Sequence, residues 1–206
     1  MEKTITLISR IISGLTFPLL MPTYAMLVAF ATTFLFFLPG QPILTVSLVT
    51  LGITAMLPII AIYFLHHMGI ISDPLLNSRR DRTVPYIVTI LSYIGLGAYL
   101  WKISAPAWMT AFMMGAAALL AIILFINLVW KISGHAAGMG GLTALSVFLV
   151  YKGYCIFPSL WLPCSIIIIS GIVCSARLLL GRHTLGQVAA GYTLAFTVIY
   201  LSMLMS

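Results

Sequence analysis

The sequence predicts an all-α, polytopic transmembrane helix bundle of about six or seven spans, preceded by an N-terminal amphipathic helix. Three observations predict it. Of the 206 residues, 62% are hydrophobic and only 6% are charged, where a soluble domain carries about 25% charged residues. The apolar residues fall in long continuous runs, and roughly 20 of them suffice for a helix to cross the hydrocarbon core. Those runs do not alternate apolar and polar, as the strands of a membrane barrel must. Lipid offers no partner to a backbone N–H or C=O, so only helices or closed barrels span it, and the run length selects helices.

Taken in order, residues 1–22 read as an interfacial amphipathic segment. Ile5, Leu7, Ile8, Ile11, Ile12 and Leu15 are apolar, with Lys3 and Arg10 between them, and Pro18 and Pro22 mark its exit. Residues 23–206 form the transmembrane domain. Its first span is expected from Thr23 to Leu38, closed by Pro39-Gly40, and its second from Leu44 to His67. Residues 68–84 are the most polar stretch and contain Arg79-Arg80-Asp81-Arg82. The third span runs from Pro85 to Trp101, and the fourth from Ala107 to Trp130, with Lys131 at its end. The fifth runs from Ser133 to Tyr151, the sixth from near Pro163 to Leu180, and the seventh from His183 to Leu204. Two spans separate the arginine cluster from Ser133-Gly134-His135, and two more lie before Arg177–Gln187. An even number of crossings returns the chain to the same face, so all three polar clusters are expected on one side of the membrane.

Charge narrows the partners. Ten Lys and Arg stand against Glu2, Asp73 and Asp81, a net charge of +7. The cations sit at span ends, with no basic run interleaved with aromatics, so the reading is no nucleic acid but anionic headgroups or phosphates. Cys155, Cys164 and Cys174 lack metal-type spacing and read as packing thiols. No short apolar core with a small-residue cleavage site marks a signal peptide.

The clusters carry chemistry. His183 and Gln187 are four apart, expected on one face of a starting helix, where the carboxamide oxygen takes a proton from one ring nitrogen and leaves the other as a nucleophile. Arg177 can aim a planar fork at an anion beside that nitrogen. Ser133 and Gly134 open a helix whose N-terminal amides suit an anion, and His135 can deliver a proton. Arg82, with Arg79 and Arg80 as lesser candidates, adds positive charge. Guanidiniums, a helix N-terminus and two histidines together fit phosphoryl transfer. Three acids in the whole chain offer no carboxylate-rich cage, so no metal and no cofactor is expected.

These motifs resemble the type 2 phosphatidic acid phosphatase superfamily, whose pattern is Lys-x6-Arg-Pro, Pro-Ser-Gly-His and Ser-Arg-x5-His-x3-Asp. The second appears as Ile132-Ser133-Gly134-His135 and the third as Ala176-Arg177, His183 and Gln187 at the same spacing. In the first, Arg82 is the arginine, Pro85 is displaced, and the lysine position holds Leu75. The resemblance implies that His183 is the nucleophile, His135 the general acid and Gln187 the group that orients His183. It implies phosphate contacts from Arg82, Ser133, Gly134 and Arg177. It further implies a membrane lipid phosphate as substrate, at the periplasmic face of a bacterial inner membrane. Gln187 stands where the family has aspartate, so the orienting group here is neutral; Asp81 or Asp73 is the alternative source of negative charge. Two alternatives remain open: lipid-to-lipid phosphotransfer, and an anionic-lipid-binding member without turnover. A channel or transporter is disfavoured, because spans two, three and six carry no central acid or base.

Overall fold

A computed structural model describes residues 2–73, 80–157 and 160–206. It is built of nine described α-helices: α1 (Glu2–Leu15), α2 (Met21–Thr32), α3 (Gly40–Leu51), α4 (Leu57–His67), α5 (Thr83–Lys102), α6 (Ala107–Asn127), α7 (Gly134–Tyr151), α8 (Trp161–Leu179) and α9 (Leu185–Leu204). Among the described residues no strand forms; Thr33 and Cys155 share a single antiparallel bridge. Seven segments are long and apolar enough to cross a membrane: Lys3–Thr32, Gly40–His67, and one each for α5 to α9. The all-α polytopic architecture is therefore the one expected.

The N-terminal segment differs from expectation. The chain bends at a 3-10 turn, Pro18–Leu20, and the first helix of the expected span one is only the 12 residues of α2. At ~1.5 Å per residue that is about 18 Å, short of the ~30 Å hydrocarbon core. A second 3-10 turn, Phe34–Phe37, continues it. The amphipathicity of α1 is turned inside out relative to a soluble helix. Ile5, Leu7, Ile8, Ile11 and Leu15 are 44–64% exposed, whereas Ser9 and Ser13 are buried. Ser9 and Ser13 thus face protein, while these apolar side chains, with Lys3 and Arg10, face outward.

Spans two and six have proline-determined details. α3 and α4 join through one π turn, Gly52–Met56. Pro58 follows at once; it lacks an N–H, and its ring would clash with the carbonyl four residues back in a regular helix. The wider turn removes that conflict, and the Thr54 hydroxyl donates to the Thr50 carbonyl at 2.8 Å. α8 begins beside Pro163 and ends in a Schellman motif. Gly181 adopts φ +62°, its N–H donates to Leu178 O at 2.9 Å, and Arg182 N–H donates to Arg177 O at 3.2 Å. That turn brings the chain from Arg177 to His183 within six residues.

α7 and α9 are pressed together by reciprocal glycines. A Cβ on Gly140 would collide with the Tyr192 main chain, and one on Gly191 would lie 2.8 Å from Ser133 O. Only glycine allows helix backbones this close, the usual device for packing helices in lipid. Hydroxyls reinforce it: Tyr192 donates to Thr143 Oγ1 at 2.9 Å, and Thr143 Oγ1 lies 3.4 Å from Ser170 Oγ on α8. The three helices that carry the second and third motifs are thereby fixed to one another.

Candidate functional site

The clustered residues meet in one cavity of about 220 Å³. Arg82, Gly134, His135, Arg177 and His183 line it. They come from the turn before α5, the first turn of α7, the last turn of α8 and the loop before α9. The same cavity runs on between the helices, where Tyr93, Phe112 and Ile199 line it. One end is therefore cationic and the other apolar.

His183 is not on a helix face, contrary to expectation. It precedes Thr184, the N-cap of α9. Thr184 and Gln187 form a capping box: Gln187 N–H donates to Thr184 Oγ1 at 3.4 Å, and Thr184 N–H donates to Gln187 Oε1 at 3.2 Å. The backbone N–H can only donate, so the atom facing it must be the amide oxygen. That same oxygen lies 3.2 Å from His183 Nδ1. Nδ1 must then carry the proton, and Nε2 is left with its lone pair. Gln187 Oε1 thus fixes the His183 tautomer. Asp81 does not share this role: its carboxylate accepts from the Ser72 N–H at 3.1 Å and the Ser72 hydroxyl at 2.7 Å, which hold it below the usual carboxylate range.

His135 and Arg177 share a partner that the motifs did not point to. His135 Nε2 lies 3.0 Å from the Ser13 carbonyl oxygen, and Arg177 Nη1 donates to Ser13 Oγ at 3.1 Å. Arg177 Nε is buried without a hydrogen-bond partner. A buried, unsatisfied donor on a cation costs about 1–3 kcal/mol or more, and an oxyanion in the cavity would satisfy it. Gly134 is open on the protein side, since an added Cβ would meet nothing nearer than Pro18 Cγ at 3.6 Å. Packing does not demand glycine there, whereas close approach of a ligand to the backbone would.

Ser133 is placed differently from the expectation of a phosphate contact. It is fully buried, and its Oγ accepts the Ala136 N–H at 3.3 Å as the N-cap of α7. Its N–H donates to Gln187 O at 3.3 Å, which ties the α7 N-terminus to α9. Arg79 and the side chain of Arg80 lie outside the described residues.

Electrostatics add a residue that sequence reasoning treated only as a span end. Lys131 feels Arg82, Arg182 and Arg177, and burial followed by these charges lowers its pKa. His183 is pushed down to about 4, first by burial and then by Lys131, against the opposing Gln187 hydrogen bond; Arg177 and Arg82 contribute further. The imidazole is therefore neutral at pH 7. The sequence signal for Lys131 is its place two residues before Ser133. Among the described residues no three His, Cys, Asp or Glu side chains cluster as metal ligands. No family model, curated protein or solved structure matches this chain.

Proposed function

We propose that the protein is an integral membrane lipid phosphate phosphatase of the type 2 phosphatidic acid phosphatase kind. The observation that carries this reading is the single cavity, with two histidines and two arginines at one end and apolar helix faces at the other. A phosphorylated lipid has the same two-part character. Its phosphate would lie against Arg82, Arg177 and the Gly134 amide, and its chain would run between helices.

The reaction follows from the donor set. His183 Nε2 attacks phosphorus as the bond to the lipid oxygen breaks, giving a phosphohistidine. His135, protonated once the negative phosphate lies beside it, gives its proton to the leaving oxygen, and the lipid alcohol departs. Water then attacks phosphorus, His135 takes a proton from it, and the N–P bond breaks to release inorganic phosphate. Arg82, Lys131 and Arg177 stabilise the charge on the phosphoryl oxygens throughout. A lipid hydroxyl in place of water makes the same intermediate a phosphotransfer step. By resemblance, the site faces the periplasm in a bacterial inner membrane.

One observation favours a second reading. Gln187 is neutral, so it holds the His183 tautomer without offsetting the charge of an imidazolium, which suits a member that binds anionic lipid without turnover. One assay separates the two. Phosphate release is measured in detergent with chelator present, on phosphatidic acid, phosphatidylglycerol phosphate, undecaprenyl pyrophosphate and lipid A. Release that is lost in His183→Ala supports the phosphatase. A folded native protein that releases none from any of these lipids refutes it and leaves lipid binding.

A further inference from the structure

We infer that Ser13, in the N-terminal helix, is a positioning residue of the phosphate site: it holds Arg177 and His135 in the orientation an oxyanion requires. The inference rests on the phosphatase reading for its kinetic consequence, but its geometric basis is separate.

The helix end makes Ser13 available. α1 stops at Leu15, and the last carbonyls of a helix have no intrahelical donor. Thr16 N–H still reaches Ile12 O at 3.0 Å, but Phe17 N–H turns to Gly14 O at 3.3 Å. Ser13 O is thus freed from the donor four residues on, and His135 Nε2 fills the vacancy at 3.0 Å. A carbonyl can only accept, so Nε2 carries the proton, and the other ring nitrogen, Nδ1, is the one left to take up and pass on a further proton.

The hydroxyl performs the second task. Ser13 Oγ accepts from Arg177 Nη1 at 3.1 Å. The edge of the guanidinium formed by Nε and Nη2 is the one that grips an oxyanion with two parallel bonds. Nε is buried and unpartnered, and Arg177 lines the cavity. With Nη1 held by Ser13 and Nε without a partner, the Nε edge is the one left for an oxyanion. Ser13 is 8% exposed, 164 residues before Arg177 and 122 before His135. Without α1, both side chains lose these anchors.

The orientation of α1 agrees with this role. Thr6, Ser9, Ser13 and Thr16 recur at steps of three and four, a single helical stripe of hydroxyls. Ser9 and Ser13 of that stripe are buried, while Ile5, Leu7, Ile8, Ile11 and Leu15 are exposed. A helix serving only as a membrane anchor has no need to bury its polar stripe against a cationic site.

The test uses the full chain in detergent with Ser13→Ala, Ser13→Thr and, as a packing control on the same stripe, Ser9→Ala. Two quantities are read: orthophosphate affinity by isothermal titration calorimetry, and kcat and KM for lipid phosphate release. Loss of one hydrogen bond to a charged group predicts about a tenfold fall in orthophosphate affinity and in kcat/KM for Ser13→Ala. Ser13→Thr restores both, and Ser9→Ala leaves both unchanged. In 15N-histidine spectra His135 keeps its Nε2–H tautomer in Ser13→Ala, because that bond goes to the main chain. Ser13→Ala equal to the native protein in both quantities overturns the inference, as does a gain, which would make α1 a plug. A native protein without turnover whose orthophosphate affinity still falls in Ser13→Ala refutes the phosphatase and supports Ser13. A native protein that neither releases phosphate nor binds orthophosphate overturns both.

Discussion

Replacing Gln187 by Glu changes one atom and adds one negative charge beside His183. The carboxylate keeps the reach of the amide, so the 3.2 Å contact with Nδ1 and the bond from Thr184 N–H are retained. Glu is also the commoner partner in a capping box and favours a helix N-terminus, so the variant is expected to fold at least as well. The charge separation is about 4 Å. Unit charges at that distance interact by about 4 kcal/mol at an effective dielectric of ~20 and about 1 kcal/mol in bulk water. His183 is half-buried, so both limits bracket it. At ~1.4 kcal/mol per pKa unit, His183 should rise from about 4 by between roughly one and three units. NMR titration of the four histidines, with His183→Ala to assign the resonance, reads this without any substrate. The acid limb of kcat/KM for phosphate release should move to higher pH by the same amount, because the nucleophile must be unprotonated. A native His183 that titrates near 6.5, or one that does not move in Gln187→Glu, refutes the account of how this ring is held.

The other predictions concern stability. Gly140→Ala places a Cβ against the Tyr192 main chain, with C and Cα at 3.0 and 3.1 Å, and backbone cannot rotate away; a loss of about 1–3 kcal/mol is expected in reversible unfolding. Thr184→Ala removes the N-cap of α9 and one half of the capping box, costing about 1 kcal/mol and lowering the thermal midpoint. Acidification should destabilise the native protein below the unfolded histidine value of ~6.5, with the His183 contribution gone by about pH 4. The sign follows because the unfolded chain binds a proton there that the folded chain refuses. The depressed carboxyl of Asp81 extends the loss below its ordinary value of 3.8. Thermal midpoints across pH 4–7 check this, and His183→Gln should flatten the slope.

Much of the architecture is legible in the sequence because lipid imposes one rule on every span. Run length alone yields the helices, and crossing parity brings Arg82, His135, Arg177 and His183 to one face. What stays hidden depends on helix ends rather than on helix faces. The spacing of His183 and Gln187 suggests adjacent positions on a helix, yet the contact is made across an N-cap. Ser133 is expected as a phosphate contact, and its hydroxyl instead caps α7. Ser13 acts partly through a carbonyl, an atom every residue owns, so no side-chain pattern marks it; only the hydroxyl stripe along the amphipathic helix hints at it. Lys131 reads as the end of a span because its charged neighbours are distant in sequence.

The π turn between α3 and α4 has a consequence for how this chain tolerates changes in length. Such a turn accommodates one residue more than an α-helix needs between the same flanks. Elsewhere in the bundle, deleting a residue rotates everything beyond it by about 100° and swings lipid-facing side chains into the core. Within Gly52–Met56 a single deletion instead returns the segment to regular α-geometry and leaves the outward faces of α3 and α4 where they are. The deletion brings back the ring clash that the wide turn relieves, so it must be paired with replacement of Pro58. Related chains that lack a residue here should therefore also lack that proline, a co-variation dictated by one helical turn.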